Sequence, residues 1–233
     1  MLIAISQRHK TDHDGIDALE ASYVEYFAAL GVTLIPIPNN AKHVQDYFDK
    51  LHIGGIILSG GGDIQPALYG GKPTASGNYA PERDSTEKAL LAIALEQDIP
   101  VLGICRGMEF INVYFGGKIQ NIADVAGGLV HDESRHEITL SDDALVDAAE
   151  ADVVEVNSYH RMVIGEGQLA PKLKAFATAI DHTTEGFYHP EFAVAAIIWH
   201  PEREVGPHAL NELLVNAFLS RKLFWKPREE TES

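Results

Sequence analysis

The chain uses cysteine once, and places it between two glycines at the end of an apolar run: Gly103-Ile104-Cys105-Arg106-Gly107, within IPVLGICRGMEFINVYFGG. A structural cysteine usually sits inside a strand or helix as a small hydrophobe, whereas this one falls at a strand-to-helix junction. The form G-x-nucleophile-x-G at such a junction is the cysteine counterpart of the serine elbow, whose small flanking residues permit a strained backbone that lifts the nucleophile above the sheet edge. The start of the following helix adds the positive end of its dipole and unpaired amide hydrogens, which favour thiolate over thiol. The amide of Arg106, next after the nucleophile, is the natural donor to an oxyanion developing on an attacked carbonyl. The same five residues are also compatible with a purely structural turn.

A thiolate needs a base that holds and returns a proton, and the base needs an orienting partner. Among eleven histidines, His200 stands apart because it ends the apolar run AVAAIIW, hence at a strand's carboxyl end on the rim where Cys105 is expected. Glu202 follows across Pro201, whose ring stiffens the turn and lets the carboxylate fix the imidazole tautomer. By itself HPE reads equally as surface punctuation; its weight comes from the elbow cysteine. A second oxyanion donor is expected from SGGGD, Ser59 to Asp63, because consecutive glycines let the backbone approach a substrate and ligands gather at the carboxyl ends of parallel strands. A glycine triplet would also serve phosphate, but SGGGDIQP lacks the lysine and hydroxyl residue of a P-loop and the spacing of a dinucleotide fingerprint.

The elements that must position these groups are legible as alternating patterns. Strands are predicted at Leu2 to Ser6, Val32 to Pro38, Gly54 to Leu58, Pro100 to Cys105 and Phe192 to Glu202, and helices at Asp17 to Gly31, Ala41 to His52, Ser85 to Asp98, Gly107 to Gly117 and Pro207 to Phe224. The third helix is expected to open on a Ser85 cap with a glutamate near the capping-box position. This alternation argues a three-layer α/β fold with an open, mostly parallel sheet covered by helices on both faces. After Gly117 the rhythm changes: His136 to Ser141, Asp152 to His160 and Leu173 to Asp181 read as a small antiparallel excursion. Residues 1–225 are taken as one domain and 226–233, KPREETES, as a polar tail.

A formal net charge of −16 repels phosphate backbones and anionic lipid, which argues against nucleic-acid or membrane-surface partners. No window approaches the roughly 18 apolar residues a membrane helix needs. The start MLIAISQR lacks the pattern of a secretory leader, and one cysteine makes no internal disulfide, so a cytoplasmic location is expected. The histidines are dispersed, with no H-E-x-x-H or paired-cysteine pattern, and HDESRH (His131 to His136) reads as a solvated loop rather than a ligand cluster. No metal and no cofactor are therefore expected.

LSGGGDIQPALYG, RDSTEKALL, PVLGICRGMEFINVYFGGKIQ, VNSYHRM and IIWHPERE, in this order and spacing, resemble the class I glutamine amidotransferase-like hydrolases, and the branch with the γ-glutamyl-γ-aminobutyrate hydrolases. The resemblance spans nearly the whole chain and implies a flavodoxin-like sheet of the class I amidotransferase type. It also implies a triad of Cys105 as nucleophile, His200 as acid/base and Glu202 as orienter, with Gly61 or Gly62 joining Arg106 in the oxyanion hole. Backbone contacts to a substrate α-carboxylate fall on Ser158 and Tyr159, with His160 a packed neighbour. One departure stands out: where amidotransferases commonly carry glutamine four residues after the nucleophile, this chain has Glu109. A carboxylate there would pair with a substrate α-ammonium more strongly than an amide, or else only solvate the helix face.

The implied reaction is cleavage of a γ-glutamyl amide, through a glutamyl thioester, to glutamate plus an amine or amide-bearing metabolite. Two readings compete with the free-standing hydrolase: a glutaminase subunit passing ammonia to a separate synthase, and a catalytically inactive binding member of the fold. The free-standing hydrolase is the favoured expectation, since no fused synthase domain is expected and the RD-x(2)-E run from Arg83 resembles the hydrolase branch. The loop from Gly70 to Glu82 is a candidate part of the substrate mouth, and Arg8 and the Arg106 side chain are candidates to read an anionic leaving group, each against the commoner role of a structural ion-pair residue. Self-association as a homodimer is left open.

Overall fold

The computed structural model describes residues 1–10, 15–74, 77–125, 131, 133–204 and 208–227. Nine strands form one sheet: β1 (Leu2–Ser6), β2 (Thr33–Ile37), β3 (Ile53–Leu58), β4 (Val101–Ile104), β5 (Ser134–Leu140), β6 (Val153–Ser158), β7 (Lys174–Ala179), β8 (Thr184–Tyr188) and β9 (Val194–Ile197). Their spatial order is β2-β1-β3-β4-β9-β8-β7-β5-β6. The pairings from β2 through β9 are parallel, and those from β9 through β6 antiparallel. The expected antiparallel excursion thus extends the main sheet.

Burial explains the two halves. In β3, β4 and β9 consecutive residues such as Ile56, Ile57 and Leu58, or Val194 to Ile197, are all buried. Successive side chains point to opposite faces, so both faces of the parallel half are covered, as crossover connections require. In β5, by contrast, exposed and buried residues alternate, leaving one face of the antiparallel half to solvent. The helices are α1 (Ala21–Ala29), α2 (Val44–Lys50), α3 (Pro81–Gln97), α4 (Arg106–Tyr114), α5 (Asp143–Ala149) and α6 (Ala209–Leu219). Among the described residues no helix is long and apolar enough to cross a membrane.

Several expected boundaries move for physical reasons. α1 starts at Ala21 because Ile16–Ala18 instead pairs antiparallel with Arg8–Lys10. Asp17 holds that hairpin, taking bonds from the Asn39 amide at 2.7 Å and the His9 ring at 2.7 Å. α3 opens at Pro81 rather than at a Ser85 cap; Pro81 supplies the preset φ suited to a first helical turn, and Ser85 Oγ bonds back to the Pro81 carbonyl at 2.8 Å. The closing helix ends at Leu219, before a short 3-10 turn at Leu223–Trp225; its expected start, Pro207, lies outside the described residues. So does 228–233 of the expected tail. β8 was not expected from the sequence, because TEGFY mixes polar and glycine residues that only their neighbours bury.

Candidate active site

Adjacent parallel strands β3, β4 and β9 end on one rim, and each hands over a different part of the site. Beyond β4, Cys105 occupies the N-cap of α4 with φ 53° and ψ −111°. A non-glycine residue held there costs about 1–3 kcal/mol, which the packing around it must offset. Gly107 explains the second glycine of the elbow: a Cβ there would overlap the Leu58 carbonyl of β3. Gly107→Ala is accordingly expected to destabilise the fold by about 3 kcal/mol, because the obstacle is backbone. A thermal melt of the variant checks it, and an unchanged Tm would show that α4 shifts freely against β3.

Beyond β9, His200 lies with its backbone N–H donating to Asn157 Oδ1 at 2.9 Å, while Asn157 Nδ2 donates to the His200 carbonyl at 2.8 Å. Asn157 thus forks onto both sides of the residue. His200 Nδ1 meets Glu202 Oε1 at 2.5 Å, and both residues are buried. The contact leaves Nε2 for the sulfur, to which the imidazole is hydrogen-bonded. Burial favours a neutral imidazole, but the Cys105 sulfur and Glu202 outweigh it and push His200 up to about 9. Burial alone would likewise raise the Cys105 thiol; the His200 charge, its hydrogen bond and the backbone N–H groups of Gly61 and Arg106 bring it below the ordinary thiol value. Thiolate and imidazolium stabilise each other as a coupled pair.

Beyond β3, Gly61 has φ 83°, a conformation glycine adopts without penalty, and this turns its amide to the sulfur. Of the two glycines left open by the sequence, Gly61 is the one whose N–H faces Cys105. Arg83 holds that conformation from behind. Its guanidinium donates to the carbonyls of Ser59 at 2.6 Å, Gly60 at 3.2 Å and Gly61 at 2.6 Å, and to Glu87 Oε1 at 2.8 Å. Tyr23 adds its hydroxyl oxygen to the Gly60 amide at 2.9 Å. With carbonyls drawn toward α3, the intervening amides face the other way.

Other expected site residues fall as follows. The Arg106 side chain is not available to an anionic leaving group, because it is buried against Glu87 and, at 2.5 Å, Asp84. Arg8 lies over Gly61, where a Cβ would overlap its guanidinium; it pairs with Glu20, and its Nε is buried without a hydrogen-bond partner. Ser158 is buried, its hydroxyl donating to the His131 carbonyl at 2.6 Å. Tyr159 is exposed, with its ring edge-on to His200 at 5.8 Å and the Arg203 guanidinium over it at 4.7 Å. Glu109 is buried, not solvating a helix face; burial and then the Cys105 charge hold its carboxyl well above the usual range.

The expected mouth loop lines a cavity of about 420 Å³ with Lys72 and Tyr79, opposite Gln120 and Arg161. Asp63 and Tyr69 also line it, and Tyr69 feels the charges of Glu109 and Asp63, which ties this cavity to the site. Ala75 and Ser76 of the loop lie outside the described residues. A larger cavity of about 880 Å³, between Asp142 and Phe224, touches none of the site residues. HDESRH is not a solvated loop: His131 and His136 are buried, and Asp132 lies outside the described residues. Sequence reasoning gave Arg83, Glu87 and Asn157 no role in the site, although all three lie in the RD-x(2)-E and VNSYHRM runs it singled out and Arg83 and Glu87 stand at i,i+4 spacing.

The family profile of peptidase C26 matches residues 2–202. The chain belongs to the peptidase C26 family. This C26 chain is 30% identical over 210 residues to a γ-glutamyl-CDP-amidate hydrolase of Campylobacter jejuni, covering 88% of this chain and 92% of the relative. It is also 30% identical over 237 residues to the γ-glutamyl-γ-aminobutyrate hydrolase of Escherichia coli, covering 91% and 89%. Among solved structures, the glutaminase domain of Trypanosoma brucei CTPS with bound acivicin superposes with a TM-score of 0.66 at 14% identity, covering 98% of each chain. That likeness establishes the class I glutamine amidotransferase fold. The C26 chain is an amidotransferase-like hydrolase.

Proposed function

We propose that the chain hydrolyses a γ-glutamyl amide, with Cys105, His200 and Glu202 as its catalytic triad. The single observation that carries this reading is the Cys105 sulfur hydrogen-bonded to His200 and faced by the amides of Gly61 and Arg106. In the first step the thiolate attacks the γ-carbonyl carbon and a C–S bond forms. The carbonyl oxygen takes the negative charge between the Gly61 and Arg106 amides. His200, already protonated, gives its proton to the leaving nitrogen as the C–N bond breaks. In the second step His200 takes a proton from water, which attacks the thioester, and glutamate leaves with the thiolate restored. Glu202 keeps the Nδ1–H in place throughout. No cofactor enters this balance.

The relatives that cleave γ-glutamyl-CDP-amidate and γ-glutamyl-γ-aminobutyrate support the γ-glutamyl half of the substrate. Ser158 and Tyr159 offer backbone groups to the α-carboxylate, and Arg8, with an unspent Nε beside Gly61, is the side chain placed for a further anionic group. The mixed cavity behind Asp63 takes the leaving group. The test is turnover of a panel of γ-glutamyl amines beside glutamine, read as glutamate released, with trapping of a glutamyl adduct on Cys105 by mass spectrometry. Turnover of glutamine alone, accelerated by a co-purifying protein, would transfer the chain to the glutaminase-subunit reading; no adduct on folded protein would make it an inactive member.

Glu109 adds a pH-dependent expectation. In the free site its carboxyl is neutral into a range where ordinary glutamates are ionised, so capture of a substrate ammonium by the carboxylate releases a proton. KM should therefore fall as pH rises from the ordinary glutamate value toward the raised one. Glu109→Gln should raise KM about tenfold, since a charge-assisted bond becomes a neutral one, and abolish that slope. KM measured against pH for both proteins decides, and a slope retained in the variant assigns it to another group.

A further inference from the structure

Three histidines dispersed through the sequence converge under the antiparallel half of the sheet. His131 precedes β5, His136 lies in it, and His160 follows β6; Glu185 of β8 and Asp181 at the β7–β8 turn complete the group. His131, His160 and Glu185 are 1%, 4% and 0% exposed. We propose that His131 Nδ1, His160 Nε2 and Glu185 Oε1 form a structural site for one divalent first-row ion of the zinc type.

Hydrogen counting is the first argument. His131 Nε2 contacts the Asp181 carboxylate at 3.0 Å, and His160 Nδ1 contacts the Met162 carbonyl at 3.0 Å. Both partners only accept, so each ring spends its N–H there, and in neutral imidazoles the other nitrogen is a bare lone pair. Those two remaining nitrogens, His131 Nδ1 and His160 Nε2, face each other at 3.3 Å. Two lone pairs at hydrogen-bond distance need an electrophile between them. His136 repeats the deficit: Nε2 goes to Glu185 Oε2 at 3.0 Å, and its buried Nδ1 has no partner. The group lacks positive charge as well as hydrogens, since among the described residues Glu185 meets histidines and Thr183 but no lysine or arginine.

Spacing and chemistry agree with a metal. Two ligands on a tetrahedral ion with bonds of about 2.0–2.1 Å stand about 3.3–3.4 Å apart, matching the 3.3 Å between the rings. Glu185 Oε1 stands wider, 4.0 Å from His131 Nδ1 with the three residues' ligand atoms within 4.8 Å of one another, so an ion between the rings would draw its carboxylate inward by about 1 Å. Two imidazoles and a carboxylate suit zinc, cobalt or nickel better than magnesium or calcium. The outer contacts are those a metal histidine requires: a carboxylate on one ring and a backbone carbonyl on the other, fixing both tautomers, with His136 orienting the Glu185 carboxylate. Such burial suits a clamp rather than a reaction centre. It would tie β8 to the end of β6, the strand whose Asn157 braces His200.

The test uses the full chain, free of any affinity tag and carrying Cys105→Ala so that the sulfur cannot bind the probe. After equilibration with Zn²⁺ or Co²⁺ and removal of excess ion, elemental analysis should find one ion per chain. Cobalt should show the visible bands of a tetrahedral site, and zinc should raise Tm by at least about 5 °C over chelated protein. Glu185→Gln and His160→Gln in the same background should lose the ion and the Tm rise. Protein that retains no ion and melts alike with zinc or chelator overturns the proposal, whether or not the variants fold, and assigns the inter-ring contact to a proton. Binding that survives both variants overturns it too.

Discussion

Cys105→Ala is expected to reduce γ-glutamyl hydrolysis by roughly 10⁴- to 10⁶-fold, and His200→Gln by a similar factor, with the double variant little worse than either. The reason is that sulfur and imidazole act as one group: each is the largest favourable influence on the other's charge, against the burial that opposes both. The pH dependence of thiol alkylation separates this from mere damage to the fold. In the wild-type chain the thiolate forms below the ordinary thiol value, so alkylation reaches its plateau early as pH rises. In His200→Gln burial is left largely unopposed, and the inflection should move upward past the wild-type position. A His200→Gln profile that coincides with wild type would show that the imidazole does not set the nucleophile.

Arg83→Met carries the second large effect, although Arg83 touches neither the sulfur nor the imidazole. Its guanidinium fixes three successive carbonyls of the β3 exit, and so the opposite-facing amide of Gly61. Loss of one oxyanion donor costs about 10²- to 10³-fold in kcat, and that is the expected loss here. Removing the guanidinium also takes the donor from three carbonyls, while Glu87 keeps Arg106 and Ser6 as partners, so stability should fall by about 3 kcal/mol. The distinguishing readout is a split: kcat collapses while the pH profile of Cys105 alkylation moves up far less than in His200→Gln, because the Gly61 amide is lost but the larger influence, the imidazolium, remains. Arg83→Lys retains charge but not the three-carbonyl fork, and should recover stability more than kcat. Folded Arg83→Met with wild-type kcat would remove Arg83 from the positioning of the hole.

The resemblance and the motifs placed Cys105, His200 and Glu202 on one rim because their signals are local. A strand followed by G-I-C-R-G allows few backbone paths, and a histidine ending an apolar run must emerge at that strand's end. Gly61 against Gly62 could not be chosen from sequence: three glycines share the same freedom, and Arg83, more than twenty residues further on, selects among their peptide orientations. Ser85 misled for the reverse reason. Its type suits a helix cap, but Pro81 supplies an earlier start, and burying Arg83, Asp84 and Glu87 at the site requires that earlier turn.

What sequence alone determined is the glycine-flanked elbow that carries Cys105, the alternation that builds a parallel sheet and the order of its strands' chemical endings, all consequences of short-range spacing. What only tertiary structure decided is the charge state and company of buried polar groups. Arg106 reads as an ion-pair residue or a leaving-group contact, and Glu109 as a substrate-binding carboxylate or a solvated one, until burial pairs the first with Asp84 and Glu87 and holds the carboxyl of the second well above the usual range. His131, His160 and Glu185 read as scattered polar residues until antiparallel pairing folds them together. Side-chain type and spacing set local backbone geometry, but desolvation and partner charges depend on residues distant in the chain, and no pattern along it records who those neighbours are.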